Sequence, residues 1–160
     1  MKYIILGIDP GSTVTGYGII EKNFYINSGC IPVKKKYQKN SYYFLRYIYL
    51  EINKIIRKFN PNYFVIEEVF IGKNAKNSLK LSQASSAAIL SATKFKIPIF
   101  QYSIKTIKKI VTGFGNAKKD YIFEIVSKFF SIQNRSIKQD SIDALAVAMT
   151  HYFIFLKNKI

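Results

Sequence analysis

The sequence predicts an α/β fold, a mixed five-stranded sheet flanked by helices on both faces. Three strand patterns lie near the N-terminus, and two more follow that are separated from each other by a helical pattern. This order suits an antiparallel meander followed by parallel strands with helical crossovers. The first strand has no polar alternation, which indicates burial on both faces. At 160 residues and 49% hydrophobic composition, the chain is expected to form one packed domain, residues 1–160.

The first three strands are predicted to form an antiparallel meander. The apolar run from Tyr3 to Ile8 ends on Asp9 and a Pro-Gly turn. Two β-rich runs follow, Gly16 to Glu21 and Tyr25 to Ile31, with Lys22-Asn23 as the turn between them.

Helices and strands alternate in the rest of the chain. Apolar residues at intervals of three and four predict an amphipathic helix from Tyr42 to Phe59, which Asn60-Pro61-Asn62 ends. A lysine-rich stretch, Lys34 to Lys39, leads into that helix. The later elements are predicted as a strand at Tyr63–Val69, a helix at Ser78–Lys94, a strand at Ile97–Tyr102, and helices at Ile104–Val111, Lys118–Phe130 and Asp140–Lys157.

The charge balance indicates an acidic partner. The chain has 25 Lys and Arg residues against nine Asp and Glu, a net charge of +16, and nucleic acid is the commonest acidic partner of such proteins. Only three of the basic residues are Arg, and the chain is also rich in Ile, Asn, Tyr and Phe. Lys, Ile, Asn, Tyr and Phe share A- and U-rich codons, so compositional drift is an alternative source of part of the charge.

Several classes of site and location are disfavoured by the composition. One cysteine, Cys30, and one histidine exclude an internal disulfide and a Cys/His zinc site. No apolar run approaches the roughly 20 residues of a membrane span, and the first run breaks too early for a signal peptide. We therefore expect a cytoplasmic protein without a membrane partner.

The few carboxylates concentrate where strands end and the last helix begins. Asp9 follows the first strand, Glu67 and Glu68 lie near the end of the fourth, and Asp140 and Asp143 share one face at the start of the last helix. A desolvated carboxylate must be paired, hydrogen-bonded or bound to a metal. Because Mg²⁺ prefers oxygen ligands, converging carboxylates would suit it. The pattern predicts metal-dependent phosphoryl chemistry on nucleic acid.

Purely structural roles for the same residues stay open at this point. Asp140 and Asp143 resemble a helix N-cap with an acid at the third helical position. Asp9 could initiate a turn. Either Glu67 or Glu68 faces the other carboxylates, but not both, because side chains alternate along a strand.

Four ordered blocks resemble the RuvC family of Holliday-junction resolvases over nearly the whole chain. The blocks are ILGIDPGSTVTGYGII, FVIEEVF followed by KNAKNSLKLSQA, GFGNAKKD, and DSIDALAVAMTH. The resemblance implies an RNase H-like fold and a homodimer. It also implies a magnesium-dependent endonuclease that resolves four-way junctions by symmetric paired nicks, leaving 5′-phosphate and 3′-hydroxyl ends. Two Mg²⁺ per subunit, with Mn²⁺ as a substitute, and the RuvA and RuvB branch-migration proteins are the implied cofactors and partners.

The resemblance also implies the site residues. The catalytic and metal-binding carboxylates fall on Asp9, Glu67, Asp140 and Asp143. Basic residues near the scissile phosphate fall on Lys108 and Lys119, and an aromatic residue that stacks on an unpaired base falls on Phe70. Phosphate contacts are further expected at Lys73, Lys76 and Lys118, although each lysine taken singly could be a solvated side chain.

Two rival functions are compatible with parts of the pattern. The first is a non-catalytic module that binds junctions, in which the carboxylates would only cap helices and stabilise turns. Actin-like ATPases and sugar kinases begin with a similar strand, aspartate and Gly-Ser turn, but 160 residues leave little room for their paired domains.

Overall fold

The computed structural model describes residues 3–38, 40–70, 72, 74–133 and 137–156. Its five strands form one sheet in the order β3-β2-β1-β4-β5. The strands are β1 (Ile4–Asp9), β2 (Val14–Glu21), β3 (Phe24–Pro32), β4 (Tyr63–Glu67) and β5 (Ile99–Tyr102). The pairs β1–β2 and β2–β3 are antiparallel, whereas β1–β4 and β4–β5 are parallel. The prediction of a meander joined to parallel strands is confirmed.

Six α-helices cover this sheet in the described part of the chain. They are α1 (Lys35–Gln38), α2 (Ser41–Phe59), α3 (Ala75–Lys94), α4 (Ile104–Thr112), α5 (Lys119–Phe129) and α6 (Gln139–His151). A π-helical turn, Tyr152–Leu156, continues α6. The last helix was predicted as one regular segment to Lys157, but its α-helical part ends at His151. The one-turn helix α1 was not predicted, because four residues are too few to show helical periodicity.

The sheet separates two layers of helices. Alternation along β1 sends Ile5 into the layer of α4, α5 and α6, and Leu6 into the layer of α2 and α3. Along β4, Val65 contacts the first layer and Phe64 the second. Both faces are therefore buried, as the apolar first strand predicted. No helix among the described residues is long and apolar enough to cross a lipid bilayer.

Asparagine side chains fix the ends of α2. Asn40 Oδ1 accepts from the backbone N–H groups of Tyr42 (3.0 Å) and Tyr43 (3.4 Å). Asn60 adopts the left-handed conformation with φ 46°, and its backbone N–H donates to the carbonyl of Ile56 (2.8 Å). The predicted end of this helix at Asn60 is confirmed, because asparagine tolerates the left-handed C-cap conformation.

A buried histidine, His151, is the last residue of α6. His151 is fully buried, its Nδ1 shares a 2.9 Å hydrogen bond with the Tyr102 hydroxyl, and its ring stacks on Phe155. Burial lowers the pKa of His151 to about 4, so the ring stays neutral at physiological pH. This histidine therefore belongs to the hydrophobic core, at the end of α6 far from Asp140 and Asp143.

The backbone of α6 lies directly on β1. A Cβ added at Gly7 would collide with the carbonyl oxygen of Ala144, and it would lie 2.8 Å from the backbone nitrogen of Ala148. Both of those groups are backbone, which cannot move aside without shifting the helix. Gly7 is thus required by the close approach of α6 to the sheet.

Replacing Gly7 with alanine should destabilise the fold. The added methyl group must push α6 away from β1, and overpacking of this kind costs about 1–3 kcal/mol of unfolding free energy. Urea denaturation measures the change. Gly72→Ala is the matched control, because an added Cβ there has no neighbour closer than 3.9 Å. Equal stability of the two variants would contradict the close packing of α6.

Candidate active site

Two carboxylates lie side by side at the end of the sheet. Asp9 is the last residue of β1, Glu67 is the last residue of β4, and the parallel register pairs Ile8 with Ile66 just before them. Two residues before Glu67, Val65 faces the layer of α6, so the period of two directs Glu67 to the same layer. Strand alternation alone left the choice of glutamate open; Glu67, the residue implied by the family resemblance, faces the α6 side, whereas Glu68 is exposed.

The start of α6 adds two further carboxylates at this end. Asp9 pairs with Gly16 on β2, and a Cβ at Gly16 would collide with the carbonyl oxygen of Asp140. The backbone of Asp140 thus lies against the strand partner of Asp9. Asp143 follows one helical turn later on the same face. The sheet and α6 together bring the four predicted carboxylates into one electrostatically coupled cluster.

The structural alternative, in which Asp140 is the N-cap of the last helix and Asp143 the acid at its third position, does not hold. The helix begins at Gln139 with Lys138 at the N-cap, and no side chain caps this end. Asp140 and Asp143 therefore lie inside the first turns of α6. Asp140 still gains from the positive end of the helix dipole, but neither carboxylate is the N-cap that the sequence pattern suggested.

Two side chains hold Asp143 in place. Gln139 Nε2 donates to Asp143 Oδ1 (2.8 Å), and Lys119 Nζ from the start of α5 donates to Oδ2 (3.4 Å). The role of Gln139 was missed by the sequence analysis. Its spacing of four residues from Asp143 on one helix face was the available signal.

Burial and mutual repulsion perturb the carboxylates of β1 and β4. Burial raises the pKa of Asp9 to about 8, and the negative charges of Glu67, Asp143 and Asp140 add to this effect. Burial, followed by the charge of Asp143, raises the pKa of Glu67 to about 7. Without a compensating cation, the folded chain thus resists full ionisation of the cluster.

Two lysines partly offset this negative charge. Lys119 lowers the pKa of both Asp9 and Glu67, and Lys108 on α4 lowers that of Glu67. In return, the charge of Asp143 raises the pKa of Lys119, in spite of partial desolvation. The Lys119 side chain is 73% exposed, so it lies at the rim of the cluster, where a phosphate could reach it.

The cluster fits a hard divalent cation by its chemistry. All of its ligands are carboxylate oxygens, and a cation would neutralise the charges that raise the pKa values of Asp9 and Glu67. Within the described ranges, no three His, Cys, Asp or Glu side chains already converge closely enough to hold a metal ion.

The other predicted DNA-binding residues surround this end of the sheet. Phe70, shortly after β4, is 83% exposed and borders a cavity of about 480 Å³ that also contacts Ile104 at the start of α4. Lys76 lines a cleft of about 180 Å³ together with Ser12 and Thr13, in the turn after Asp9. Lys118 is the exposed N-cap residue of α5. Lys73 lies outside the described residues.

Comparison with known proteins identifies the family. The family model described as "Crossover junction endodeoxyribonuclease RuvC" matches residues 5–151. The chain belongs to the RuvC family. A relative of that name from Wigglesworthia glossinidia brevipalpis is 51% identical, over 98% of this chain and 96% of the relative. Another from Baumannia cicadellinicola is 43% identical, over 94% of this chain and 87% of the relative.

Solved RuvC structures have the same fold. The chain aligns with the structure of Thermus thermophilus RuvC at a TM-score of 0.84 and 22% identity, over 97% of this chain and 96% of that one. A second structure, T. thermophilus RuvC in complex with Holliday junction substrate, gives a TM-score of 0.83 at 22% identity, over 94% and 93% of the two chains. The predicted RNase H-like fold is confirmed, and the RuvC family is favoured over actin-like ATPases.

Removing the charge of Asp9 should stabilise the protein when no divalent cation is present. Because the pKa of Asp9 is about 8 in the folded chain and near 4 when unfolded, the folded state binds more protons between these values. The unfolding free energy of the native chain therefore falls as pH rises from 4 to 8. In EDTA, Asp9→Asn should match the native chain at pH 4 and exceed it at pH 8 by on the order of 5 kcal/mol.

Thermal and urea denaturation at the two pH values measure this difference. Glu124→Gln is the matched control, because Glu124 is exposed in the middle of α5, away from the positive end of the helix, and should change stability by less than about 0.5 kcal/mol. A pH-independent difference between Asp9→Asn and the native chain would show that Asp9 ionises without cost in the fold.

Proposed function

We propose that this chain is a metal-dependent endonuclease that resolves four-way DNA junctions by symmetric paired nicks in recombination and repair. The observation that carries the proposal is the cluster of Asp9, Glu67, Asp140 and Asp143 in a chain of the RuvC family. The relatives are named crossover junction endodeoxyribonucleases, and a protein of the same fold has been solved with a Holliday junction. Residues 1–160 would act as one nuclease domain.

The four carboxylates are the proposed ligands of two Mg²⁺ ions, for which Mn²⁺ would substitute. The charges of the other three carboxylates all act on Asp9, which supports a central role for Asp9 in holding the ions. When bound, such ions activate a water molecule and stabilise the leaving oxygen of a phosphodiester. The expected products carry a 5′-phosphate and a 3′-hydroxyl. The backbone of α6 would keep Asp140 and Asp143 at a fixed height above Asp9 and Glu67.

Lysines at the rim of the cluster would position the DNA backbone. Lys119 and Lys108 influence the carboxylates directly, which supports a place near the scissile phosphate. Lys76 and Lys118 are exposed farther out and would contact flanking phosphates, as would Lys73. Such contacts orient the substrate without reading its sequence. The exposed ring of Phe70 would stack on an unpaired base near the crossover.

A homodimer would supply the two nicks, with one active site per subunit. The apolar groove between α2 and α3, about 370 Å³ and bordered by Leu45, Tyr49 and Leu90, supports contact between copies. The small residues Ala84, Ala88 and Ala92 of α3 do not support this contact, because they are buried in the core of the subunit. Cooperation with RuvA and RuvB and a cytoplasmic location stay predictions.

Amide replacement of the central carboxylates tests catalysis. Asp9→Asn and Glu67→Gln should each lower nicking of a synthetic four-way junction in Mg²⁺ by about 100-fold or more, because ion-dependent charge stabilisation contributes several kcal/mol. Junction binding in a gel-shift assay should be retained. Glu68→Gln is the matched control, since it removes the neighbouring exposed charge and should leave nicking unchanged.

The same experiment separates the nuclease from a non-catalytic junction-binding module. Unchanged nicking by the Asp9→Asn variant would contradict the assignment of the carboxylate cluster as the catalytic site. A native chain that binds the junction but does not nick it in Mg²⁺ or Mn²⁺ would favour the binding module.

Salt dependence tests the basic surface. Because Lys and Arg that contact phosphates release condensed counterions, junction affinity should fall steeply with salt. Lys76→Gln should reduce the slope of log K against log salt by about 1. Lys58→Gln, on the exposed C-terminal turn of α2, should leave the slope unchanged. A flat response of the native chain would indicate that the lysines reflect compositional drift.

A further inference from the structure

A second basic and aromatic surface lies at the same end of the sheet as the candidate active site, but on the α2 layer, and the site does not include it. We name it the tyrosine surface. It is formed by α1, the segment before it and the first turns of α2, and its members are Lys34, Lys35, Lys36, Tyr37, Tyr42, Tyr43, Arg46 and Tyr47. None of these residues was assigned a function by the sequence analysis.

The sheet register sets the position of this surface. Asp9 pairs with Gly16, and Gly16 pairs with Cys30 near the end of β3. The chain leaves β3 at Pro32 and enters α1 three residues later. The tyrosine surface therefore begins at the same end of the sheet as Asp9, two strands or roughly 10 Å across from β1.

The rings of the surface form a supported platform. The Tyr37 ring lies 5.2 Å from that of Tyr47 and 6.5 Å from that of Tyr43, measured between centroids. The Tyr47 hydroxyl donates to the carbonyl of Pro32 (3.2 Å), which ties the platform to the end of β3. Lys36 Nζ lies 4.9 Å from the centre of the Tyr37 ring. The rings are thus held in place by their neighbours.

Much of this aromatic area faces solvent. Tyr42 is 81% exposed and Tyr43 is 56% exposed, and Leu50 one turn beyond Arg46 is 41% exposed. Tyr37, Tyr43, Arg46 and Tyr47 border a shallow cavity of about 170 Å³. Exposed rings grouped in this way indicate a surface that contacts a partner.

The charge of the surface favours a nucleic-acid partner. No Asp or Glu occurs between Glu21 and Glu51 in the sequence. The charge of Glu51 is paired, because Glu51 accepts a hydrogen bond from Lys54 Nζ (2.6 Å) within α2. The side chains of Lys34, Lys35, Lys36 and Arg46 are exposed. Cations next to exposed rings match the phosphates and bases of a polynucleotide.

We propose that the tyrosine surface binds single-stranded DNA. The lysines contact phosphates, and the Tyr42 and Tyr43 rings stack on bases. Stacking requires unpaired bases, because the bases of a duplex already stack on each other and hide their faces. The choice of DNA over RNA rests on the proposed function, whereas the preference for single strands rests on the exposed rings alone.

Binding of a labelled 20-nucleotide oligo(dT) in EDTA, measured by fluorescence anisotropy, tests this proposal. The double variant Tyr42→Ala/Tyr43→Ala should bind at least about tenfold more weakly than the native chain, because two stacking contacts are lost. The caps of α2 survive in this variant, since Asn40 accepts from the backbone of both residues. Affinity for a 20-base-pair duplex should stay within about twofold of native.

Phe24→Ala is the matched control, because Phe24 is a 68% exposed ring at the opposite end of β3 and should leave oligo(dT) binding unchanged. A triple variant should reduce the slope of log K against log salt for oligo(dT) by about 0.7 for each lysine that contacts a phosphate. This variant is Lys34→Gln/Lys35→Gln/Lys36→Gln. Native-like oligo(dT) affinity of the tyrosine variant, or equal losses for oligo(dT) and duplex, would overturn the proposal.

Sedimentation and junction nicking separate single-strand binding from self-association and from catalysis. A lower sedimentation coefficient of the tyrosine variant would assign the surface to contact between copies of the chain and overturn the proposal. Junction nicking is assayed separately in Mg²⁺, and the variant should nick at the native rate within about twofold. Because the oligo(dT) assay needs neither metal nor cleavage, failure of the proposed nuclease activity would not alter its result.

Discussion

The packing of α6 directly on the backbone of β1 and β2 is the contact on which the candidate site depends. Gly7 and Gly16 leave no side chain between the strands and the helix, so the first turns of α6 lie at the height of the strand ends. A bulkier residue at either position would lift Asp140 and Asp143 away from Asp9. The same contact contributes to the core, because Leu145 and Ile142 of α6 pack with Ile5 and Val65 of the sheet. Stability and site geometry therefore rest on one interface.

This interface brings like charges together at a cost in stability. Asp9 and Glu67 are partly desolvated and face Asp143, which raises the pKa of both groups. Lys119 supplies the nearest opposite charge, but its side chain is largely exposed and screened by solvent. A divalent cation would stabilise the cluster far more than one lysine does. The arrangement is thus unfavourable for the isolated chain and suited to a metal-dependent reaction.

The positive charge of the chain is distributed unevenly around this acidic cluster. No Asp or Glu occurs between Glu68 and Asp120, a segment that contributes Lys76, Lys108 and Lys119. The tyrosine surface belongs to a second segment without acidic residues, between Glu21 and Glu51. The fold places the start of the first segment, and the tyrosine surface of the second, at the carboxylate end of the sheet. A polyanion approaching the site would therefore meet cations on either side of it.

The sequence by itself determined the order of the elements, the buried first strand and the family, since local periodicity and four motif blocks carry that information. It also identified Asp9, Glu67, Asp140 and Asp143 as candidate ligands, with Glu67 preferred over Glu68 through the family resemblance and not through strand alternation. Only the tertiary structure showed that Glu67 faces the α6 side, ruled out an N-cap at Asp140, and added Gln139 and Lys119 as neighbours of Asp143. These features depend on which sheet face α6 covers and how closely it approaches. Contacts between residues far apart in the chain decide both, and periodicity within one segment does not encode them.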